Sequence, residues 1–155
     1  MRPAVHRSTD GSGTLVVTVH GTPAAQGSKR YVGGGRMIDP PTVRPWRELV
    51  AMTVAERLPD GWEPLRRPVN VHLCFRFARP KAHYRANGDI SPRHLFAQHI
   101  RKPDIDKLTR AILDALTTAG LWADDAQVAY LTARKEYVAA GETPGVTINV
   151  TWGPE

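Results

Sequence analysis

Four carboxylates lie in two short stretches of an otherwise basic chain: Asp104 and Asp106, then Asp124 and Asp125 about twenty residues later. Phosphodiester hydrolysis by two metal ions needs several carboxylates that converge on ions about 3.5–4 Å apart. Mg²⁺ suits such a site because it takes oxygen ligands and keeps several of its waters. The acids therefore favour a metal-dependent nuclease as the first hypothesis.

The spacing of the first two acids limits how they can share an ion. In a regular helix the side chains of Asp104 and Asp106 point roughly 200° apart. They converge only if Asp104 precedes the helix in an extended conformation, as an N-cap, which is a position that favours Asp. Asp125 joins them if the turn before the next strand lies over the helix N-terminus. A purely structural interpretation stays open, because acids also cap helices and form turns.

Hydrophobic periodicity predicts the elements that position these acids, in the order β-α-β-loop-α-β-β. They are a strand over 14–20, a helix from Pro45 to the turn at 59–61, a strand over 69–78, a helix over 104–118, and strands over 127–138 and 146–152. The turn at 141–145 predicts that the last two strands form a hairpin. The fold class is α/β (α+β), with a mixed, mostly antiparallel sheet and two main helices. Residues 1–13 are predicted to be a flexible tail and residues 14–155 a single domain.

Composition narrows the class of partner. Lys and Arg number 21 against 15 Asp and Glu, for a net charge of +6, which favours nucleic acid or another polyanion. A single cysteine, Cys74, excludes an intrachain disulfide and Cys-based zinc sites and suits a reducing compartment. No apolar run resembles a signal peptide or a membrane span, so we expect a cytoplasmic protein with no membrane partner.

Cationic side chains concentrate in two loops and beside the first acid pair, and we expect them to contact DNA phosphates. They are Lys29, Arg30 and Arg36 in the loop over 21–42, Arg85, Arg93, Arg101 and Lys102 in the loop over 79–102, and Lys107. Loops as long as 79–102 are usually functional or disordered. Tyr84 and Phe96 in that loop either stack on unpaired bases or anchor the loop to the core. The sequence leaves both alternatives open.

The stretch over 21–29 has a glycine and a lysine after a strand, as phosphate-binding loops do. Its spacing does not match a nucleotide-binding P-loop, which needs four residues between its glycines and then Lys-Ser or Lys-Thr. We therefore expect no nucleotide cofactor.

Read in full, the two acidic stretches resemble the signature of RusA-type Holliday junction resolvases. The resemblance covers Lys102-Pro103-Asp104-x-Asp106-Lys107-Leu108-x-Arg110, then Asp114-Ala115-Leu116, and Trp122-x-Asp124-Asp125-x-Gln127-Val128. These residues span 102–128 without a gap, and the apolar positions match as well. The order of elements around the motif is also similar to that family.

The resemblance implies a homodimeric endonuclease that cuts two opposed strands of four-way DNA junctions with Mg²⁺ or Mn²⁺, in a family often encoded by phages or prophages. It implies that Asp104, Asp106 and Asp125 are the catalytic acids, with Asp124 supporting them. The family usually has Lys at the position of Arg110. Arg keeps the charge and grips a phosphate through two hydrogen bonds but does not readily donate a proton. With Arg110 in place of Lys, the resemblance therefore implies that this side chain binds a phosphate rather than acting as a general acid.

Two alternative functions remain open from the sequence. One is a non-catalytic nucleic-acid-binding protein whose acids only cap and solubilise. The other is a nuclease of other branched or flapped DNA that uses the same chemistry.

Overall fold

The structure, a computed structural model, describes residues 4–27, 30–31, 33–35, 37–38 and 42–154. Within these ranges it contains seven strands and two α-helices. They are β1 Val5–Arg7, β2 Gly13–His20, β3 Arg30–Tyr31, β4 Met37–Ile38, α1 Val43–Ala55, β5 Val69–Phe77, α2 Ile105–Thr118, β6 Val128–Tyr137 and β7 Gly145–Trp152. The predicted fold class is confirmed. None of the helices described is long and apolar enough to cross a membrane.

The main sheet has the strand order β1-β2-β7-β5-β6, and only the β5–β6 pair is parallel. The predicted hairpin between the last two strands is therefore wrong. Helix α2 returns the chain to the start of β5, where Val69 pairs with Val128, so β6 runs parallel to β5 at the sheet edge. The chain then crosses β5, and β7 pairs with both β2 and β5, which satisfies the backbone groups on both of its sides.

Both helices pack on one face of this sheet. Alternate residues of β2, β5 and β7 are buried with the apolar sides of α1 and α2 in one core cluster. On α2 the buried positions include Leu108, Ala111, Ile112, Ala115 and Leu116, as expected for a helix with one apolar side. The acids of α2 are thereby left on the side away from the sheet.

Much of the predicted N-terminal tail belongs to the sheet. Val5 is buried and pairs with Leu15, and Gly13, at the start of β2, pairs with Arg7. Between the two strands Asp10 accepts hydrogen bonds from the amide and hydroxyl of Ser12 at 3.0 and 2.7 Å. The prediction of a flexible tail is therefore wrong from residue 5 onward. The Asp10-Gly11 pair is a hairpin-turn signal that the sequence interpretation overlooked.

Helix α1 ends at Ala55, before the predicted stop at residues 59–61, because two tighter turns follow it, from Arg57 to Val54 and from Leu58 to Ala55. The segment over 79–102 has a defined backbone, with short 3₁₀ turns at Lys81–His83 and Pro92–His94. A β-bridge also joins Tyr84 to Ile90 within it. We call this segment, residues 79–102, the basic loop.

Candidate active site

Asp104 lies immediately before α2 with an extended backbone (φ −71°, ψ 138°), which confirms its predicted N-cap position. Its carbonyl accepts a hydrogen bond from the Leu108 amide at 3.0 Å, but its carboxylate makes no capping bond. The carboxylate faces Lys107 instead, with Oδ2 3.5 Å from Nζ. Asp104 thus occupies the N-cap position, but its carboxylate does not cap the free amides of α2.

Lys135 on β6 fixes the chain that leads into Asp104. Its ammonium donates to the carbonyls of Arg101 and Pro103 at 2.7 and 2.9 Å. Lys135 pairs with the buried Phe75 in the sheet, so it projects toward the side that the helices cover. Lys135 was not among the predicted site residues. The alternation of side chains along β6 could have identified Lys135 from the sequence. It places an ammonium on the core side of the strand, where the charge needs partners.

Asp106, Arg110 and Asp114 follow at four-residue intervals and form a polar stripe along α2. Asp106 is exposed in the first turn, where the helix dipole favours an anion. The segment after β2 lies beside this stripe. The Gln26 amide donates to the Lys107 carbonyl at 3.1 Å, and a Cβ placed on Gly27 would lie 3.9 Å from Arg110 Nη1.

Asp114 is a further acid at this site that the predicted set did not include. It is half-buried, and its Oδ2 lies 3.9 Å from Nη1 of Arg47 on α1. Both side chains line a basin of about 460 Å³ together with Asp124 and Asp125. The sequence placed Asp114 on the polar stripe of α2. That Arg47 lies opposite Asp114 depends on how α1 packs against α2.

Residues 122–127, which we call the acidic turn, are held by a set of short hydrogen bonds. Asp124 Oδ1 accepts from the Ala126 amide at 2.8 Å. Gln127 Oε1 accepts from the amides of Ala123 and Asp124, each at 3.0 Å. Gln127 Nε2 donates to the carbonyls of Leu65 and Arg67 at 2.8 and 2.9 Å. Asp124 is thus the cap of this turn, in agreement with the structural interpretation for that residue.

Trp122 attaches the acidic turn to the end of α2. Its ring is buried, and Nε1 donates to Thr117 Oγ1 at 2.8 Å. The Leu65 amide donates to the Leu121 carbonyl, and the Ala123 amide donates to the Leu65 carbonyl, both at 3.0 Å. These contacts hold Asp124 and Asp125 beside the polar stripe.

Asp125 lies in a setting that opposes its negative charge. Loss of solvent raises the pKa of its carboxyl above the ordinary value, and the charges of Asp124 and Asp114 raise it further. The Arg110 guanidinium acts in the opposite direction. A bound cation would relieve this repulsion, so the donor chemistry here fits a hard ion such as Mg²⁺.

The structure brings only some of the predicted acids together. Asp125 interacts with Asp114, Asp124 and Arg110, whereas Asp104 pairs with Lys107. Among the residues described, no group of three or more His, Cys, Asp or Glu side chains is arranged to hold a metal ion. A metal site shared by Asp104, Asp106 and Asp125 therefore stays a prediction.

A cleft of about 710 Å³ opens beside Asp104. Its walls are mainly apolar and include Trp46 and Leu49 of α1, while Lys102 and Lys107 line it together with Asp104. The first acid is therefore reachable from solvent, next to two ammonium groups.

The predicted DNA-contacting cations fall into three groups. Arg85, Arg93, Arg101 and Lys102 are exposed on the basic loop, and Lys107 is half-buried on α2. Arg30 lies in β3, which pairs with β4 around residues 33–35. Lys29 and Arg36 lie outside the described residues, so the prediction for them remains as it was.

A comparison with protein families identifies the motif. The model of the family described as endodeoxyribonuclease RusA matches residues 20–151 of the 155-residue chain. The match contains β5, α2, the acidic turn, β6 and the basic loop. A search of curated proteins found no match.

Proposed function

The chain belongs to the RusA family of endodeoxyribonucleases, and from this membership we propose that it resolves four-way DNA junctions by paired, symmetric, Mg²⁺-dependent hydrolysis. The observation that carries the proposal is the setting of Asp125. Its carboxylate interacts with the charges of other acids and of Arg110. Arg110 lies four residues after Asp106, on the same face of α2. Acids crowded in this way favour binding of a cation, and the basic charge of the whole chain favours binding of a polyanion.

We propose that Asp104, Asp106 and Asp125 hold Mg²⁺, with Mn²⁺ able to replace it. When bound, the ion lowers the pKa of an attacking water and polarises the phosphate. Asp124 contributes by fixing the acidic turn, since its carboxylate caps that turn.

Arg110 is proposed to grip the scissile phosphate. It is exposed on the polar stripe between Asp106 and Asp114, and its planar guanidinium fits two phosphate oxygens. Lys107 and Lys102, beside Asp104, are suited to hold neighbouring phosphates. Such contacts orient the backbone and carry no base information.

Two opposed cuts need two active sites, which a two-fold dimer supplies. We therefore propose a homodimer, with sedimentation at twice the chain mass as its test. A monomer that still makes paired nicks would contradict the dimer without affecting the nuclease.

The experiment that tests the function is cleavage of a labelled immobile four-way junction beside a linear duplex of matched sequence, in Mg²⁺ or in EDTA. Wild type is compared with Asp106→Asn and with Asp60→Asn, a matched change at an exposed acid far along the chain from the motif. We expect paired nicks on the junction alone, lost in EDTA and in Asp106→Asn but kept in Asp60→Asn. No cleavage by wild type with junction binding retained would leave a binding protein and overturn the proposal.

A further inference from the structure

Two apolar side chains of the basic loop project into solvent. Phe96 is 89% exposed and Ile100 is 88% exposed, while the next most exposed large apolar residue described, Met52, is 57% exposed. Neither residue anchors the loop, so for Phe96 the anchoring alternative is wrong and base stacking stays a prediction. Two almost fully exposed large apolar side chains only four residues apart on one loop favour an interaction site there.

Stacked rings hold the base of the loop against the sheet. His83 and His94 stack with centroids 4.2 Å apart and planes 3° apart, and His83 meets the edge of Tyr137 at 5.2 Å. His99 stacks on Phe77 at 4.3 Å and lies 5.1 Å from Tyr137. The histidines therefore do the anchoring, on both sides of Phe96 in the sequence.

Polar contacts fix the backbone on either side of the exposed pair. Arg79 Nη1 donates to the His94 carbonyl at 2.9 Å, and Lys135 Nζ donates to the Arg101 carbonyl at 2.7 Å. Phe96 and Ile100 lie between these two attachments. Their exposure is thus a property of a supported loop with its ends held.

The charges around the pair select the class of partner. Arg93, Arg101 and Lys102 are exposed on the same loop, and its one acid, Asp89, accepts a hydrogen bond from Asn87. Such a surface is complementary to a nucleic acid, because its cations can contact phosphates and its exposed apolar and aromatic groups can contact base faces. Lys102 is also two residues from Asp104, so a partner held here lies next to the candidate active site.

We propose that Phe96 and Ile100 form a wedge that enters the base stack at the branch point of the DNA and stacks on an unpaired base. This inference rests on the proposed function, because it names how the same protein selects its substrate. Apolar side chains inserted between base steps unstack them at a cost that is lowest where pairing is already interrupted. The wedge thereby favours a branch point over continuous duplex.

The test is fluorescence of a four-way junction with 2-aminopurine at the branch point, saturated with protein in metal-free buffer. Wild type is compared with the double variant Phe96→Ala/Ile100→Ala, with Phe96→Trp, and with Met52→Ala as a control at an exposed apolar residue of α1. We expect the fluorescence to rise with wild type, Phe96→Trp and Met52→Ala, and to stay near the free-junction level with the double variant. Equal melting temperatures establish that the variants fold.

Cleavage separates a wedge from a general contribution to affinity. In Mg²⁺ we expect the double variant to cut a fully paired junction about tenfold more slowly, as for loss of one base–aromatic stack. It should recover wild-type rates on a junction with two unpaired bases at the centre, where no unstacking is needed.

Three outcomes overturn the wedge. If the double variant matches wild type in fluorescence and cleavage, the wedge is wrong while the proposed function stands. If its sedimentation mass falls, the pair is a contact with a second copy of the chain. If wild type neither binds nor cuts any junction, the proposed function fails and the wedge fails with it.

Discussion

The basic loop precedes α2 in the chain and the acidic turn follows it, and the two regions are held in place by different contacts. In the acidic turn, Gln127 alone makes four hydrogen bonds of 2.8 to 3.0 Å to backbone groups. In the basic loop, the rings of His83, His94 and His99 contact Tyr137 and Phe77, beside hydrogen bonds from Arg79 and Lys135. The acidic turn therefore holds its carboxylates through directional hydrogen bonds. The basic loop carries cations and packs on the sheet through aromatic and imidazole rings.

The difference matches the demands on each region. Carboxylates that share an ion must keep their positions to within a fraction of an ångström, and directional hydrogen bonds provide that precision. A loop that meets DNA must adjust to it, and ring stacking tolerates small displacements better than a bond network does. Under the proposed function, the acidic turn would position the chemistry and the basic loop would bind the substrate.

The largest effect on cleavage is expected from substitution of Asp125, one of the two neighbouring acids of the acidic turn. If Asp125 is a metal ligand as proposed, Asp125→Asn should lower cleavage about 100-fold or more, because such a ligand supplies several kcal/mol of transition-state stabilisation. Its melting temperature should stay the same or rise, since the pKa of Asp125 is raised by burial and by neighbouring acids. Single-turnover cleavage and thermal melting measure the two effects.

Asp124→Ala is the matched control for that change. It removes the cap to the Ala126 amide and should cost about 1 kcal/mol of stability, as helix caps do, with a smaller loss of cleavage. A larger loss of cleavage in Asp124→Ala than in Asp125→Asn would contradict the division of roles between the two acids.

A change of intermediate size is expected for the hydrogen-bond network of the acidic turn. Gln127→Ala removes four hydrogen bonds and should lower the free energy of unfolding by about 2 kcal/mol. This corresponds to a fall in melting temperature of about 4–8 °C for a chain of this size. Gln98→Ala, at an exposed glutamine of the basic loop, should melt like wild type. Equal melting of the two variants would show that the turn is held by other contacts.

The smallest effect is expected from acidification, and it should fall on the basic loop. Burial lowers the pKa of His83, and the charges of His94 and Arg79 lower it further. Burial likewise lowers the pKa of His99, with Lys135 adding to the effect. The unfolded chain therefore takes up these protons first, so stability is full above about pH 6.5 and is lost as the pH falls through the lower, folded pKa values.

Thermal melting and limited proteolysis of the basic loop at pH 7.5 and 5.5 measure this effect. His99→Phe keeps a ring between Phe77 and Tyr137 but does not titrate, so its pH dependence should be weaker than that of wild type. An unchanged pH dependence would show that His99 protonation does not loosen the loop.

Local patterns were sufficient for part of the fold and of the candidate site. The alternation over 69–78 predicts β5, and the periodicity over 104–118 predicts α2, because each depends on one face of one element. The N-cap geometry of Asp104 is likewise local, since it follows from Pro103 and the helix start. The tail prediction failed because a three-residue strand carries too little pattern to recognise without its partner β2.

The amino-acid sequence by itself determined which carboxylates and cations the protein has, and which helix and strand carry them. The tertiary structure decided that β7 lies between β2 and β5, that Asp114 meets Arg47, and that Asp124 caps the turn while Asp125 does not. The reason is that these choices depend on partners far along the chain. Gln127 bonds to carbonyls 60 and 62 residues away, and those groups become neighbours only when the sheet has formed.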